Sequence, residues 1–184
     1  MDGIATHLEA TVAVALETGR LWPGSGILEL GCGDYSTPVL ARIARAQGRQ
    51  MANIVSDLNW AARFRHCFGS VLEIPFNEWP RVPFNGSWGM CLMDNEQDIA
   101  DRFENLKRMA KADIGVIIVH DSAKAAAKGC RWEDMTRFFQ HVVLLGRRYP
   151  ETPGTLELLE VALLSNKVNP APWFHPGQVV EVVR

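Results

Sequence analysis

The chain has 184 residues, 47% of them hydrophobic, and its 19 Lys and Arg residues against 21 Asp and Glu residues give a formal net charge of −2. This length suits a single domain, which buries roughly two-thirds of the surface of its unfolded chain. The balanced charge gives no sign of a polyanion-binding surface, so we expect no nucleic-acid partner. The N-terminus lacks a basic segment followed by an apolar core, and no run approaches the roughly 18 apolar residues of a membrane span. We therefore expect a cytoplasmic protein that does not use a membrane.

The four cysteines are Cys32, Cys67, Cys91 and Cys130, which lie far apart in the sequence and form no CxxC pair. This spacing favours reduced, mostly buried thiols over a disulfide framework or a zinc site. Reduced thiols agree with the expected cytoplasmic location.

The first predicted element is a helix over residues 4–17, whose apolar residues recur at helical spacing and which is followed by Gly19 as a stop signal. Residues 1–19 are therefore interpreted as an N-terminal helix that could fold over a pocket as a lid. In that position the helix would bring His7 to the pocket.

An apolar run with one acid, Gly26–Leu30, breaks into a Gly-Cys-Gly turn at residues 31–33 and then opens a helix. So short an apolar run is typical of a strand that is buried on both faces of a parallel sheet. The two glycines permit backbone angles that other residues avoid, and a ligand can approach them without meeting a Cβ atom. Ser36 or Thr37 is expected to cap the helix. A strand, a tight turn and a helix N-terminus in this order predict a pocket for a nucleoside-bearing cofactor.

The second predicted strand, over residues 51–56, ends at Asp57, which lies 24 residues past Gly33. In nucleotide-binding sheets an acid at about this distance, at the end of the neighbouring strand, accepts hydrogen bonds from ribose hydroxyls. Asp57 is therefore a candidate for the ribose contact. A short helix is expected after it, and a third strand over residues 70–74.

Two further strands end in polar residues. The strand Trp88–Met93 ends at Asp94, and after a helix over residues 99–110 the strand over 114–119 ends at His120, Asp121 and Ser122. The carboxyl ends of parallel strands meet at one edge of the sheet, where ligands bind in open α/β folds. Histidine ordinarily titrates near neutral pH, which makes His120 a candidate general base.

The C-terminal part predicts a helix over residues 132–139, a strand over 141–146 and a long strand over 155–164, joined by a loop that permits a hairpin. The tail, 166–184, is expected to be an extended surface segment. The predicted fold is thus a doubly wound, Rossmann-like α/β sheet of about seven strands, mostly parallel with an antiparallel last strand, and with helices on both faces.

The pattern hydrophobic-hydrophobic-acid-hydrophobic-Gly-x-Gly over residues 27–33 resembles the first motif of class I S-adenosylmethionine-dependent methyltransferases. Ser36 stands where a dinucleotide-binding fingerprint has its third glycine, which disfavours a dehydrogenase. Over residues 20–165 the later motifs follow in an order similar to that of the methyltransferases. The resemblance implies one methyltransferase domain over 1–184, with 20–165 as its core and S-adenosylmethionine as its cofactor.

The resemblance also implies roles for individual residues. In this family the acid at the position of Glu29 helps to hold the amino group of the cofactor, the glycine backbone lies beside the methionine portion, and the acid at the position of Asp94 sits near the transferred methyl group. The implied cofactor-binding residues are Glu29, Gly31, Cys32, Gly33, Ser36, Thr37, Asp57, Leu58 and Asp94.

Two mechanisms remain open for removing the proton of an oxygen acceptor. In the first, His120 takes the proton while Asp94 or Asp121 orients it. In the second, Asp94, Asp121 and Ser122 hold Mg²⁺, which lowers the pKa of a bound hydroxyl. The second pattern is similar to catechol-type O-methyltransferases, which have an Asp-Asn pair where this chain has Asp121 and Ser122.

The expected function is transfer of a methyl group to a small-molecule acceptor, through an oxygen nucleophile. A NAD-dependent oxidoreductase and a non-catalytic binding or scaffold protein of the same fold are the alternatives. The sequence leaves the identity of the acceptor and the oligomeric state open.

Overall fold

The computed structural model describes residues 4–67, 69–74, 84–94, 99–122, 131–147, 157–175 and 179–182. Its helices are α1 (Ile4–Leu21), α2 (Ser36–Ala46), α3 (Leu58–Ala61), α4 (Ile99–Met109) and α5 (Trp132–Met135). Its strands are β1 (Gly26–Leu30), β2 (Met51–Val55), β3 (Ser70–Glu73), β4 (Trp88–Met93), β5 (Ile114–His120), β6 (His141–Arg147), β7 (Glu157–Ser165) and β8 (Val179–Val182).

All eight strands belong to one sheet with the order β3-β2-β1-β4-β5-β7-β6-β8. The strands from β3 to β5 run parallel, while β7 runs antiparallel to both of its neighbours, β5 and β6. The predicted Rossmann-like sheet with its antiparallel ending is confirmed.

The tail differs from the prediction, which had about seven strands and an extended surface segment over 166–184. Part of the tail forms the eighth strand, β8, which pairs antiparallel with β6. Without β8, the outer side of β6 would present unpaired backbone N–H and C=O groups. The tail therefore completes the sheet.

Both faces of the sheet are covered, because the strand side chains alternate between two cores. One core joins the sheet to α1 and α2 and includes Val14, Leu40, Met90, Val116 and Ile118. The other joins it to α4 and α5 and includes Leu28, Cys91, Leu106, Ile117 and Met135. Because β1 lies in the middle of this arrangement, all five of its residues are buried.

Helix α1 is a layer of the fold. It contacts α2 and the strands β4, β5 and β7, and it buries Ala10, Val14 and Ala15 in the core. The suggested lid is therefore an element packed on the sheet, and its first turns reach the carboxyl edge of the strands, where His7 lies beside His120.

None of the helices in the described ranges combines the length and the apolar character needed to cross a membrane. Cys32, Cys67 and Cys91 are free thiols, while Cys130 lies outside the described residues. The cytoplasmic location remains a prediction.

Gly89 and Gly115 allow close packing across the middle of the sheet. A Cβ atom on Gly115 would collide with the carbonyl oxygen of Gly89 and with the ring of Trp22. Because the first of these atoms is backbone, it cannot move aside cheaply. We expect Gly115→Ala to lower the free energy of unfolding by about 1–3 kcal/mol, measured by urea denaturation.

Gly19→Ala is the matched control, since its Cβ would meet the side-chain amide of Gln47. That flexible end can rotate away, and alanine favours the helix. An equal loss of stability in both variants would contradict the proposed role of Gly115.

Candidate active site

The glycine turn, residues 31–33, follows β1 at the carboxyl edge of the sheet. Gly31 has a φ of +95°, a left-handed value that favours glycine, and its N–H donates to the carbonyl oxygen of Ile54 at 2.8 Å. Among the described residues, a Cβ atom on Gly33 would meet only Ser36 Oγ within 4 Å, at 3.4 Å. The hydrogen bond from Gly31 thus ties the turn to β2, and at Gly33 the backbone leaves room for a ligand.

Glu29 lies beneath this turn and is fully buried. Ser36 Oγ donates to its Oε1 at 2.7 Å, while Thr37 Oγ1, at 2.9 Å, and Asn53 Nδ2 donate to its Oε2. Thr37 Oγ1 in turn accepts a hydrogen bond from the N–H of Gly33 at 2.9 Å. The carboxyl group therefore supports the turn through the hydroxyl of Thr37.

Burial raises the pKa of Glu29 to about 7. The hydrogen bonds from Ser36 and Thr37 act in the opposite direction, the negative charge of Asp94 adds to the rise, and the bond from Asn53 lowers it slightly. Glu29 therefore titrates at a higher pH than an exposed glutamate does.

The prediction that Ser36 or Thr37 caps α2 is wrong. Tyr35 occupies the N-cap position without a side-chain hydrogen bond, and both hydroxyls turn inward to Glu29. A buried carboxylate without donors costs more than a missing cap, so the hydroxyls satisfy the carboxylate. The contact of Glu29 with the cofactor's amino group remains a prediction.

Asp57 and α3 form the side of the turn next to β2. Asp57 is exposed, and its Oδ1 accepts from the backbone N–H groups of Asn59, at 2.8 Å, and Trp60, at 3.3 Å. Leu58 is 47% exposed beside it. Trp60 Nε1 donates to the carbonyl oxygen of Cys32 at 2.8 Å, which ties α3 to the turn.

Arg63 adds a second tie between α3 and the turn. Its guanidinium lies 4.2 Å from the ring centre of Trp60 and bonds Asp34 at 2.9 Å. Burial, together with nearby negative charges, raises the pKa of the Cys32 thiol to about 12. Cys32 is therefore a neutral thiol, and its contribution to the turn is through its backbone.

Asp94 and His120 meet at the ends of β4 and β5. The backbone N–H of Asp94 donates to the carbonyl oxygen of Leu30 at 3.0 Å, which places Asp94 next to the glycine turn. His120 Nδ1 lies 2.9 Å from Asp94 Oδ1. The ring of His7, from α1, lies 4.2 Å from that of His120, so the structure places this third residue in the site.

Asp94 is poised to stay ionised. Burial disfavours its charge, but the hydrogen bond from His120 and the charges of His120, His7 and Arg102 outweigh that effect and lower its pKa. Arg102 also donates to the carbonyl oxygen of His120 at 3.2 Å. An ionised Asp94 accepts a hydrogen bond from the Nδ1–H group of His120, and this bond fixes the tautomer of the imidazole.

The Mg²⁺ site predicted at Asp94, Asp121 and Ser122 is not supported. Asp121 Oδ1 lies 3.9 Å from His120 Nδ1, and Ser122 is fully buried with its carbonyl oxygen accepting from Trp132 Nε1. The carboxylate of Asp94 is bonded to His120. Within the described ranges, no group of three or more His, Cys, Asp or Glu residues could hold a metal ion. These residues do not fit a metal.

Sequence reasoning missed Asn53 and Arg102. Asn53 is the register partner of Glu29 in the pairing of β1 with β2, and both are polar residues inside apolar strands. A polar residue inside each of two apolar strands is a signal that the sequence offers, whereas the register that brings the two residues together is not. Arg102 offers no such signal, because its position depends on how α4 packs beneath β5.

Solved structures with this fold are similar to the chain over most of its length. A human methyltransferase 10 domain-containing protein matches with a TM-score of 0.60 and 11% identity, over 89% of this chain and 83% of that one. The O-methyltransferase TomG from Streptomyces achromogenes, solved in complex with S-adenosylmethionine, matches with a TM-score of 0.55 and 16% identity, over 85% and 79%. No protein-family model and no curated protein matches the chain.

A third structure is described as a probable spermidine synthase from Corynebacterium glutamicum. It matches with a TM-score of 0.57 and 12% identity over 88% of this chain, which spans 63% of that protein. At these identities the likeness shows the fold alone. The protein has the fold of class I S-adenosylmethionine-dependent methyltransferases.

Proposed function

We propose that the protein is an S-adenosylmethionine-dependent methyltransferase that transfers a methyl group to an oxygen of a small-molecule acceptor by in-line displacement. The observation that carries this proposal is the Asp94–His120 pair, which lies next to an open glycine turn at the carboxyl edge of the sheet. The glycine turn can hold a nucleoside cofactor, and the Asp94–His120 pair can accept a proton.

The residues around the turn fit the cofactor. Among the described residues, the backbone at Gly33 is open where a methionine portion would lie, and the exposed carboxylate of Asp57 stands at the end of β2, where a ribose would lie. Leu58 presents an exposed apolar side chain beside it. When bound, S-adenosylmethionine supplies a methyl group on a positively charged sulfur, which is a good leaving group.

His120 is the proposed general base. The Nδ1–H group of His120 donates to the ionised carboxylate of Asp94. Nε2 is therefore the nitrogen that takes a proton from an acceptor hydroxyl. Such assistance is worth about 10²–10⁴ in rate. Orientation of the reacting atoms supplies the larger share, on the order of 7–11 kcal/mol.

Thermal denaturation with three ligands tests the cofactor. S-adenosylmethionine and S-adenosylhomocysteine at about 100 times their Kd should stabilise the protein by about 2.7 kcal/mol, which raises the Tm by several degrees. Stabilisation by NAD alone would instead favour an oxidoreductase. No response to any of the three would favour a non-catalytic scaffold.

Asp57→Asn tests the ribose contact. Asparagine caps helices about as well as aspartate, so α3 should remain intact while the charged acceptor is lost. We expect the Kd for S-adenosylhomocysteine, measured by calorimetry, to rise by about 10- to 100-fold. Asp34→Asn removes another exposed charge near the turn, while its amide oxygen can still accept from Arg63, and should change the Kd far less. Equal effects of both substitutions would point to general electrostatics instead of a ribose contact.

A further inference from the structure

Thr37, in the first turn of α2, forms hydrogen bonds with both backbone polar groups of Gly33. The N–H of Gly33 donates to Thr37 Oγ1 at 2.9 Å, and the backbone N–H of Thr37 donates to the carbonyl oxygen of Gly33 at 3.3 Å. Thr37 itself is fully buried. A single buried residue therefore fixes the peptide groups on both sides of the Gly33 Cα atom.

The two glycines of the turn are held in different ways. Gly31 has a φ of +95°, which glycine adopts readily, whereas Gly33 is not among the described glycines with a positive φ. Glycine has more backbone freedom than any other residue, so a glycine in an ordinary conformation needs contacts to keep it in one arrangement. The two hydrogen bonds with Thr37 are such contacts.

Glu29 fixes the orientation of the Thr37 hydroxyl. A hydroxyl group has one proton, and Thr37 donates it to Glu29 Oε2 at 2.9 Å, which leaves a lone pair for the N–H of Gly33. Ser36 also donates to Glu29, through the other carboxylate oxygen, Oε1. Among the hydroxyl groups of the described residues, that of Thr37 alone joins Glu29 to the backbone of the turn.

We propose that Thr37 is a positioning residue, which holds Gly33 in its binding conformation so that the turn meets the cofactor as a preformed surface. Both polar groups of Gly33 bond to Thr37, and its Cα atom is the part that faces the open space at the turn. A turn that is ordered before binding loses less conformational entropy when the ligand binds. This inference rests on the proposed function, and Thr37 acts through Gly33.

Thr37→Val tests the hydroxyl, because valine keeps the β-branch and removes both side-chain hydrogen bonds. Gly33 must then become ordered during binding, which costs the entropy of fixing about one residue. We expect the Kd for S-adenosylhomocysteine, measured by calorimetry, to rise by about 5- to 30-fold. Thr37→Ser keeps the hydroxyl, so its Kd should return to within about twofold of the wild type, although the loss of a buried methyl group lowers its Tm.

Two controls separate positioning from stability. Thr18→Val removes another fully buried threonine hydroxyl, which donates to the carbonyl oxygen of Ala15 in α1, so its Tm should fall while its Kd does not change. Ser36→Ala removes a donor to Glu29 without removing the bond to Gly33, and should raise the Kd less than Thr37→Val does. Equal rises in Kd for Thr37→Val and Thr37→Ser, or for Thr37→Val and Ser36→Ala, would overturn the inference.

Amide hydrogen exchange of the ligand-free wild type, followed by NMR, does not depend on a folded variant. The N–H of Gly33 should exchange at least about tenfold more slowly than that of a glycine in an unstructured peptide, because it bonds to Thr37. Exchange at the unstructured rate would overturn the inference and leave the proposed function intact. Failure of the wild type to bind either S-adenosylmethionine or S-adenosylhomocysteine would overturn the proposed function, whereas an unchanged Kd in Thr37→Val would overturn the inference alone.

Discussion

Replacing His120 with alanine is expected to slow methyl transfer by about 10²–10⁴-fold while leaving the Kd for S-adenosylmethionine nearly unchanged. The ring of His120 is the group that Asp94 orients at the end of β5, and alanine removes the proton acceptor without removing the glycine turn. Single-turnover kinetics together with calorimetry would separate the loss in rate from any loss in binding.

The pH dependence of the same reaction provides a second readout. An imidazole base is inactive once it is protonated, so wild-type activity should fall at acidic pH, and the residual activity of His120→Ala should lack that fall. His141→Ala is the matched control, because His141 begins β6 at the opposite edge of the sheet. Full turnover by His120→Ala would exclude a base role for this residue.

The sequence predicted the elements whose signals are local. Strand β4 has the predicted bounds, because a short apolar run between polar residues is typical of a strand that is buried in a parallel sheet. The helix predicted over residues 132–139 is shorter, with α5 ending at Met135. The amides of Phe138 and Phe139 both bond the carbonyl oxygen of Met135, so the chain tightens there before it enters β6. The pairing of β8 was unpredictable, because it depends on which edge of the sheet is left open.

In the candidate site, too, some contacts could be predicted from the sequence and others depend on packing. Asp94 and His120 could be paired from sequence, since the ends of parallel strands meet at one edge. The position of His7 depends on how α1 lies across the sheet, and the bond between Asn53 and Glu29 depends on the register of β1 with β2. Such relations between elements are set by packing, which a linear pattern does not contain.

Arg49→Met is expected to lower the free energy of unfolding by about 3–5 kcal/mol. Arg49 is 7% exposed, and its guanidinium donates to the carbonyl oxygens of Ala15, Ser25 and Gly26. Methionine fills similar space but removes one donor from each of these three buried carbonyl oxygens. Urea denaturation measures the loss. Arg45→Met, at an exposed position in the last turn of α2, should stay within about 0.5 kcal/mol of the wild type.

The same substitution should also reduce activity, because Arg49 joins the end of α1 to the start of β1. Ala15 and Thr18, which it bonds, belong to the helix that carries His7 to His120. A loosened α1 would move His7 away and expose the Asp94–His120 pair to water, which weakens the hydrogen bond that orients the base. We therefore expect kcat to fall even under conditions where Arg49→Met remains folded. A folded variant with unchanged kcat would contradict this link between Arg49 and the candidate site.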